Sequence, residues 1–305
     1  MKIVIFAANG YIGRVLVDYY TRKKAEIIAV TRKPTLFSSG VTNVLWDGKK
    51  YANSWASFLN GADLVINLAG KSVNCRYTEA NKKEIFDSRT FATEVIAKAI
   101  NLCVVPPKLW VNSASATIYR HAEDRPMDEL NGEIGSGFSV EVCRKWEKTF
   151  FETQTPKTRK VALRMAIVLG KSEGVFMRLK NLVRFGLGGK QGNGKQMFSW
   201  IHDKDLCRMF DFLIEHPEIK GVYNASSPNP ISNEKIMNTI RKQMRVPFGL
   251  PSPAWLLEMG AILIGTETEL IFKSRWVVPT KLLHAGFRFQ FPVIEDAVMD
   301  ILRSK

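Results

Sequence analysis

The chain of 305 residues has little of what builds a metal centre, a disulfide scaffold or a membrane span. Its four cysteines, Cys75, Cys103, Cys143 and Cys207, are widely separated and form no Cys-x-x-Cys pair. That excludes the common zinc ribbons and points to reduced thiols in a cytoplasmic setting. The four histidines, His121, His202, His216 and His284, have no metal-ligand spacing. No apolar run is long enough to cross a bilayer, and the longest late one, residues 255–264, is interrupted by Glu258 and Gly260. The opening apolar run breaks at Asn9-Gly10 with no cleavage-site pattern after it, so no signal peptide is expected. Internal repeats and low-complexity segments are also missing.

What is present is an ordinary globular composition, 46% hydrophobic and 24% charged, with an unusual formal charge of +15. Lys and Arg are scattered, with local clusters at Arg22-Lys23-Lys24, Lys82-Lys83 and Arg241-Lys242. No helix-turn-helix, zinc-finger or RNA-recognition signature accompanies them. The excess therefore reads as solvated surface and attraction for an anionic cofactor or substrate, with no dedicated nucleic-acid or membrane partner.

The start of the chain is the most informative stretch. Residues 2–6 are an apolar run fit for a buried strand. A glycine turn follows over Ala7, Asn9, Gly10, Tyr11, Ile12 and Gly13, and residues 14–20 then carry helical spacing. Glycine lets backbone approach a pyrophosphate, and the N–H groups and dipole of a helix start attract its charge. A second strand, residues 27–30, ends in Thr31-Arg32-Lys33, where an acidic residue would bind the ribose 2′-hydroxyl of NAD. Two cations there suit the 2′-phosphate of NADP instead. The first glycine of the usual turn is replaced by Ala7.

Strand and helix patterns keep alternating: strand 63–67 into Leu68, Ala69 and Gly70, helix 81–101, strand 109–112 running to Tyr119, helix 137–153, and a strand from residue 160. This predicts an α/β fold with a doubly wound parallel sheet and ligands at the strand C-terminal ends. The texture changes after Gly170, where Gly186, Gly188, Gly189, Gly192 and Gly194 cluster with Lys190 and Lys195. That segment reads equally as an anion grip or as a turn. Residues 1–170 are expected to form the nucleotide-binding domain, with 200–224 returning to it. Residues 171–305 then build a smaller C-terminal α/β lobe, whose apolar helix at 254–264 is core or a dimer face.

Taken together, the turn at 7–13, Thr31-Arg32-Lys33, Asn67 to Gly70, Ser88-Arg89, Ser113 to Ala116, Trp146-Glu147, Arg164, Val168 to Gly170 and Trp200 to His202 with Asp205 resemble the extended short-chain dehydrogenase/reductase superfamily. The likeness is greatest to its epimerase-like family with a C-terminal domain of unknown function. The resemblance implies a Rossmann domain carrying NADP(H). It puts Arg32 and Lys33 on the 2′-phosphate, Leu68 and Ala69 along the cofactor, and Glu84, Arg89 and Leu169 at further contact positions.

It also implies a Ser or Thr holding the substrate oxygen and a Tyr-x-x-x-Lys pair exchanging its proton. Ser115 stands in the serine position. The pair is absent: aligning Trp146-Glu147 with the family puts Ser139 and Cys143 at its two positions. Tyr119 is the remaining candidate proton donor, its alternative being an aromatic wedge under a loop. The expected protein is a monomer or homodimer that acts on a small polar or nucleotide-sugar-like molecule as an oxidoreductase or epimerase. The alternative is an NADP(H)-binding regulatory protein with little turnover.

Overall fold

In a computed structural model describing residues 1–255, 257 and 272–303, the strand patterns form a seven-stranded sheet, parallel throughout. The strands in chain order are β1 (Lys2–Phe6), β2 (Glu26–Thr31), β3 (Val41–Leu45), β4 (Leu64–Asn67), β5 (Leu109–Ser115) and β6 (Arg159–Met165). Then come β7 (Ile167–Leu169), β8 (Met197–Phe198), β9 (Trp200–His202), β10 (Gly221–Ala225) and β11 (Ile231–Ser232). The large sheet runs β10-β6-β5-β4-β1-β2-β3. The order reverses between β1 and β4, which opens a crevice beyond their C-terminal ends.

Helices cover both faces, which is why β1 is continuously apolar, with Ile3, Val4, Ile5 and Phe6 all buried. On one face, α1 (Tyr11–Arg22) and α6 (Asp203–Glu215) press Leu16, Val17, Phe210 and Leu213 onto Ile3, Ile5, Val111 and Leu163. After the short α2 (Asn53–Ala56), helices α3 (Glu79–Asn101) and α4 (Phe138–Glu152) cover the other face, with Ala92, Ile96 and Phe150 against Val4, Val65 and Trp110.

A third cluster joins α5 (Val175–Arg184), α7 (Asn233–Gln243) and α9 (Ile294–Arg303) through Phe176, Leu179, Ile236, Ile240, Val298 and Ile301. The short α8 (Thr280–His284) lies between α7 and α9 in sequence. Strand β7 pairs parallel with β9, and β8 antiparallel with β11. Asp205, fully buried, accepts the N–H groups of Gln290 at 2.7 Å and Phe291 at 2.8 Å, tying α6 to the C-terminal segment.

The glycine-rich stretch is a turn. Gly189 and Gly192 donate to the carbonyls of Leu250 and Ser252, and Gly194 donates to that of Gln191. These N–H groups are spent on the protein, so the anion-grip reading loses its backbone donors. Most of the apolar helix read at 254–264 lies outside the described residues.

Candidate functional site

The crevice is built first by the turn between β1 and α1. Ala7 stands in the left-handed region, φ 57°, where glycine is usual. Its carbonyl accepts the Gly10 N–H at 3.1 Å. Helix α1 begins at Gly10 with no side-chain cap, unlike α3, α6 and α7, which are capped by Thr78, His202 and Ser232. Its first-turn N–H groups are thus left for an external acceptor. Asn9 and Gly10 are exposed, Tyr11 and Ile12 half-buried and Gly13 buried. The Tyr11 hydroxyl turns toward Asp203, 3.4 Å away, and burial together with that carboxylate raises its pKa.

A Cβ on Gly13 would lie 2.6 Å from both Cα and O of Ala8. The helix can approach the strand end this closely because Gly13 has no side chain. Gly13→Ala is expected to cost about 1–3 kcal/mol in urea unfolding, since backbone must shift. An unchanged midpoint would show that α1 can retreat freely.

The neighbouring turn after β2 is pinned from below. Buried Thr31 donates its hydroxyl to the Lys33 carbonyl at 2.8 Å, and Asn43 on β3 donates to Thr31 Oγ1 and the Ala29 carbonyl, both at 2.9 Å. Arg32 and Lys33 are held exposed on this turn and form no ion pair among the described residues. Sequence reasoning passed over Asn43, whose part depends on the β2–β3 pairing. It also passed over Lys49 in the loop after β3. Lys71 first, then Lys49 and Arg32, hold the Glu84 carboxyl below its usual range. Glu84 is exposed and ion-pairs with Lys71 at the mouth.

Below the third turn lies a buried polar network. Asn67 donates to Asn112 Oδ1 at 2.7 Å and accepts the Ala69 N–H at 3.0 Å, while Trp146 and Asn67 both donate to Thr93 Oγ1. Each of these buried groups finds a partner, and the network fixes Leu68, Ala69 and Gly70 at the end of β4. Leu68 is further tied by its N–H to the Phe6 carbonyl. Arg89 lies over Gly70, where a Cβ would come within 3.0 Å of its Cζ.

Ser115 ends β5. Its Oγ accepts the Thr117 N–H at 3.2 Å. Burial pushes the thiol of nearby Cys143 up to about 11. Tyr119 does not join it in the cleft, and its assignment as a proton donor is corrected. The ring is 1% exposed, its hydroxyl donates to Asn224 Oδ1 at 3.0 Å, and it accepts from Arg164 Nη1 at 2.8 Å. Arg164 is forked onto Glu147 by two 2.8 Å bonds. Burial raises the Tyr119 pKa even with Arg164 beside it. Trp146, Glu147 and Arg164 thus serve the packing of α4 on the sheet.

Leu169 also departs from expectation. It is fully buried in the α5–α7–α9 cluster, so its side chain is core and has no surface for a ligand. The resemblance had carried over a position, while the pairing of β7 with β9 decides where the side chain goes. Among the described residues no cluster of His, Cys, Asp or Glu could hold a metal ion, and no helix is long and apolar enough to cross a membrane.

Comparison with known proteins gives the same architecture. The chain is similar to epimerase family protein SDR39U1 of Homo sapiens, 28% identical over 305 residues, covering 99% of this chain and 100% of the relative. It is similar to epimerase family protein YfhF of Bacillus subtilis, 28% identical over 306 residues, covering 100% and 99%. Its fold matches the crystal structure of human SDR39U1 (isoform2) with NADPH, with a TM-score of 0.88 at 27% identity over the full length of both chains. A domain of unknown function (DUF1731) matches residues 252–301. With the NAD dependent epimerase/dehydratase model matching residues 3–226, on the strands and turns just described, the chain belongs to that family.

Proposed function

We propose that the protein binds NADP(H) across the ends of β1, β2 and β4 and acts as an oxidoreductase or epimerase on a small polar or nucleotide-sugar-like substrate. One observation carries this reading: the start of α1, without a side-chain cap, lies beside a turn that presents two exposed cations, Arg32 and Lys33, with no ion pair among the described residues. A dinucleotide with a third phosphate needs that pairing. The backbone of Ala7 to Gly13 would take the pyrophosphate, and Arg32 and Lys33 the 2′-phosphate. Leu68 to Gly70 would line the path between, with Arg89 and Glu84 above it. Bound in this way, the cofactor would supply or accept a hydride. Ser115 would hold the substrate oxygen. The four free cysteines suit a reducing, cytoplasmic setting.

Fluorescence titration tests the reading. NADPH is expected to bind at least about tenfold tighter than NADH, and the difference should shrink as salt is added, because exposed cations are screened. Equal affinities at low salt would overturn it.

A second reading, a cofactor-binding protein with little turnover, is supported by Ser139 and Cys143 standing where a phenol and an ammonium are expected. NADPH consumption with a panel of carbonyl and sugar-nucleotide substrates separates the two.

A further inference from the structure

A second concentration of positive charge lies at the opposite end of the sheet from the crevice. Strands β5, β6 and β10 are neighbours and parallel, with Leu109 paired to Arg159 and Gly221 to Val161, so their entrances fall side by side. Each entrance is basic. Lys108 precedes β5, Lys157 precedes β6, which opens on Arg159 and Lys160, and Lys220 precedes β10. These five cations are distant in the chain, yet all line one depression of about 710 Å³ with Phe151 beside them, and no Asp or Glu lines it. That volume is in the range of small-molecule sites.

Two of the five are engaged by the protein. Lys160 Nζ donates to the Phe150 carbonyl at 2.9 Å, to Thr153 Oγ1 at 3.1 Å and to the Thr153 carbonyl, covering the end of α4. Arg159 donates to the carbonyls of Leu213 at 2.6 Å and Ile219 at 2.7 Å, at the end of α6 and just beyond it. Carbonyls at helix C-termini would repel an anion, and here cations already cover them. The other three are exposed. Lys157 and Lys220 form no ion pair among the described residues, and Lys108 pairs at 2.7 Å with Asp63, which also accepts the Lys2 N–H at 2.8 Å. The remaining carboxylates nearby are Glu215 and Glu218, exposed on the approach to Lys220, and Glu152, which lies 3.7 Å from Lys148.

We propose that this depression is a second anion site that takes a nucleoside polyphosphate, with Lys108, Lys157 and Lys220 on the phosphates and Phe151 against the base. Converging lysines without matching carboxylates suit a multiply charged chain better than a single carboxylate. Phe151, 38% exposed, sets an aromatic ring next to those cations, and bases of any sequence stack on such rings. The seven residues of β6 hold the site about 20 Å from the crevice, so both can be filled at once. The inference does not depend on the NADP(H) reading of the other end.

Equilibrium dialysis of ATP against the full chain, with an equimolar amount of NADPH present, tests the site. One ATP is expected to bind in addition to NADPH, more weakly as salt is added. Lys157→Glu with Lys220→Glu, both exposed and unpaired, should weaken ATP at least about tenfold and leave NADPH affinity unchanged. The same change of charge at exposed positions of the C-terminal lobe, Lys195→Glu with Lys242→Glu, should leave ATP within about twofold of its original affinity. Equal losses in the two pairs would trace the binding to overall charge and overturn the proposal, as would no ATP bound at low salt. Inorganic tripolyphosphate should bind more weakly than ATP, and Phe151→Ala should remove the difference. Equal binding of the two by the unmodified protein overturns the nucleotide assignment. If NADPH fails to bind, the reading of the crevice falls, while selective loss of ATP in the Lys157 and Lys220 pair still supports this site.

Discussion

Replacing Arg32 by glutamate is expected to weaken NADPH binding by on the order of 100-fold while leaving NADH within a few-fold of its original affinity. Arg32 is exposed at the end of β2 on a turn that Thr31 and Asn43 hold rigid, so the exchange changes charge without loosening the turn. A charge-assisted bond to phosphate is lost, and a carboxylate is placed against the same group. NADH has no 2′-phosphate and loses neither contact. Fluorescence titration of both nucleotides at low salt reads the effect, and raising the salt should narrow it. If Arg32→Glu weakened the two nucleotides equally, the site of discrimination would lie elsewhere.

Removing the buried cation of the other network should produce the largest loss of stability. Arg164→Met is expected to cost about 3–5 kcal/mol in chemical denaturation. The Arg164 and Glu147 side chains are 12% and 10% exposed, so the variant strands a carboxylate in a poorly solvated place. It also removes a donor from the Tyr119 hydroxyl. Burial alone would draw the guanidinium's pKa down, but Glu147 and Tyr119 hold it above its usual value. A double variant, Arg164→Met with Glu147→Leu, should recover much of the loss, because apolar replacements need no counter-charge. A single variant within about 1 kcal/mol of the parent would show that water reaches Glu147 freely.

The elements legible in the sequence were those whose periodicity switches sharply. β1, the glycine turn and α1 announce themselves because a strand buried on both faces runs into a helix with an apolar stripe. β3 does not, since Val44 is the only one of its five residues that is buried. Tyr119 was misplaced because closeness to Ser115 along the chain says nothing about direction. A single 3-10 turn over Ala116–Ile118 intervenes and sends the ring beneath the sheet edge toward Asn224.

The placement of β10 outside β6 also has a consequence for synthesis. Residues 221–225 follow α5, β8, β9 and α6 in the chain, yet they complete the sheet beside a strand made long before them. Until they emerge, β6 offers an unpaired edge, and Tyr119 lacks the Asn224 acceptor that receives its proton. The backbone N–H of Asn224 also donates to the Glu129 carboxylate and its side-chain amide donates to the Val278 carbonyl, joining segments translated early and late. A nascent chain halted before this point carries most of a nucleotide-binding sheet with one side open, the kind of intermediate that pairs with other chains or recruits a chaperone. The polar network around Tyr119 therefore closes late, once both ends of the molecule have been made.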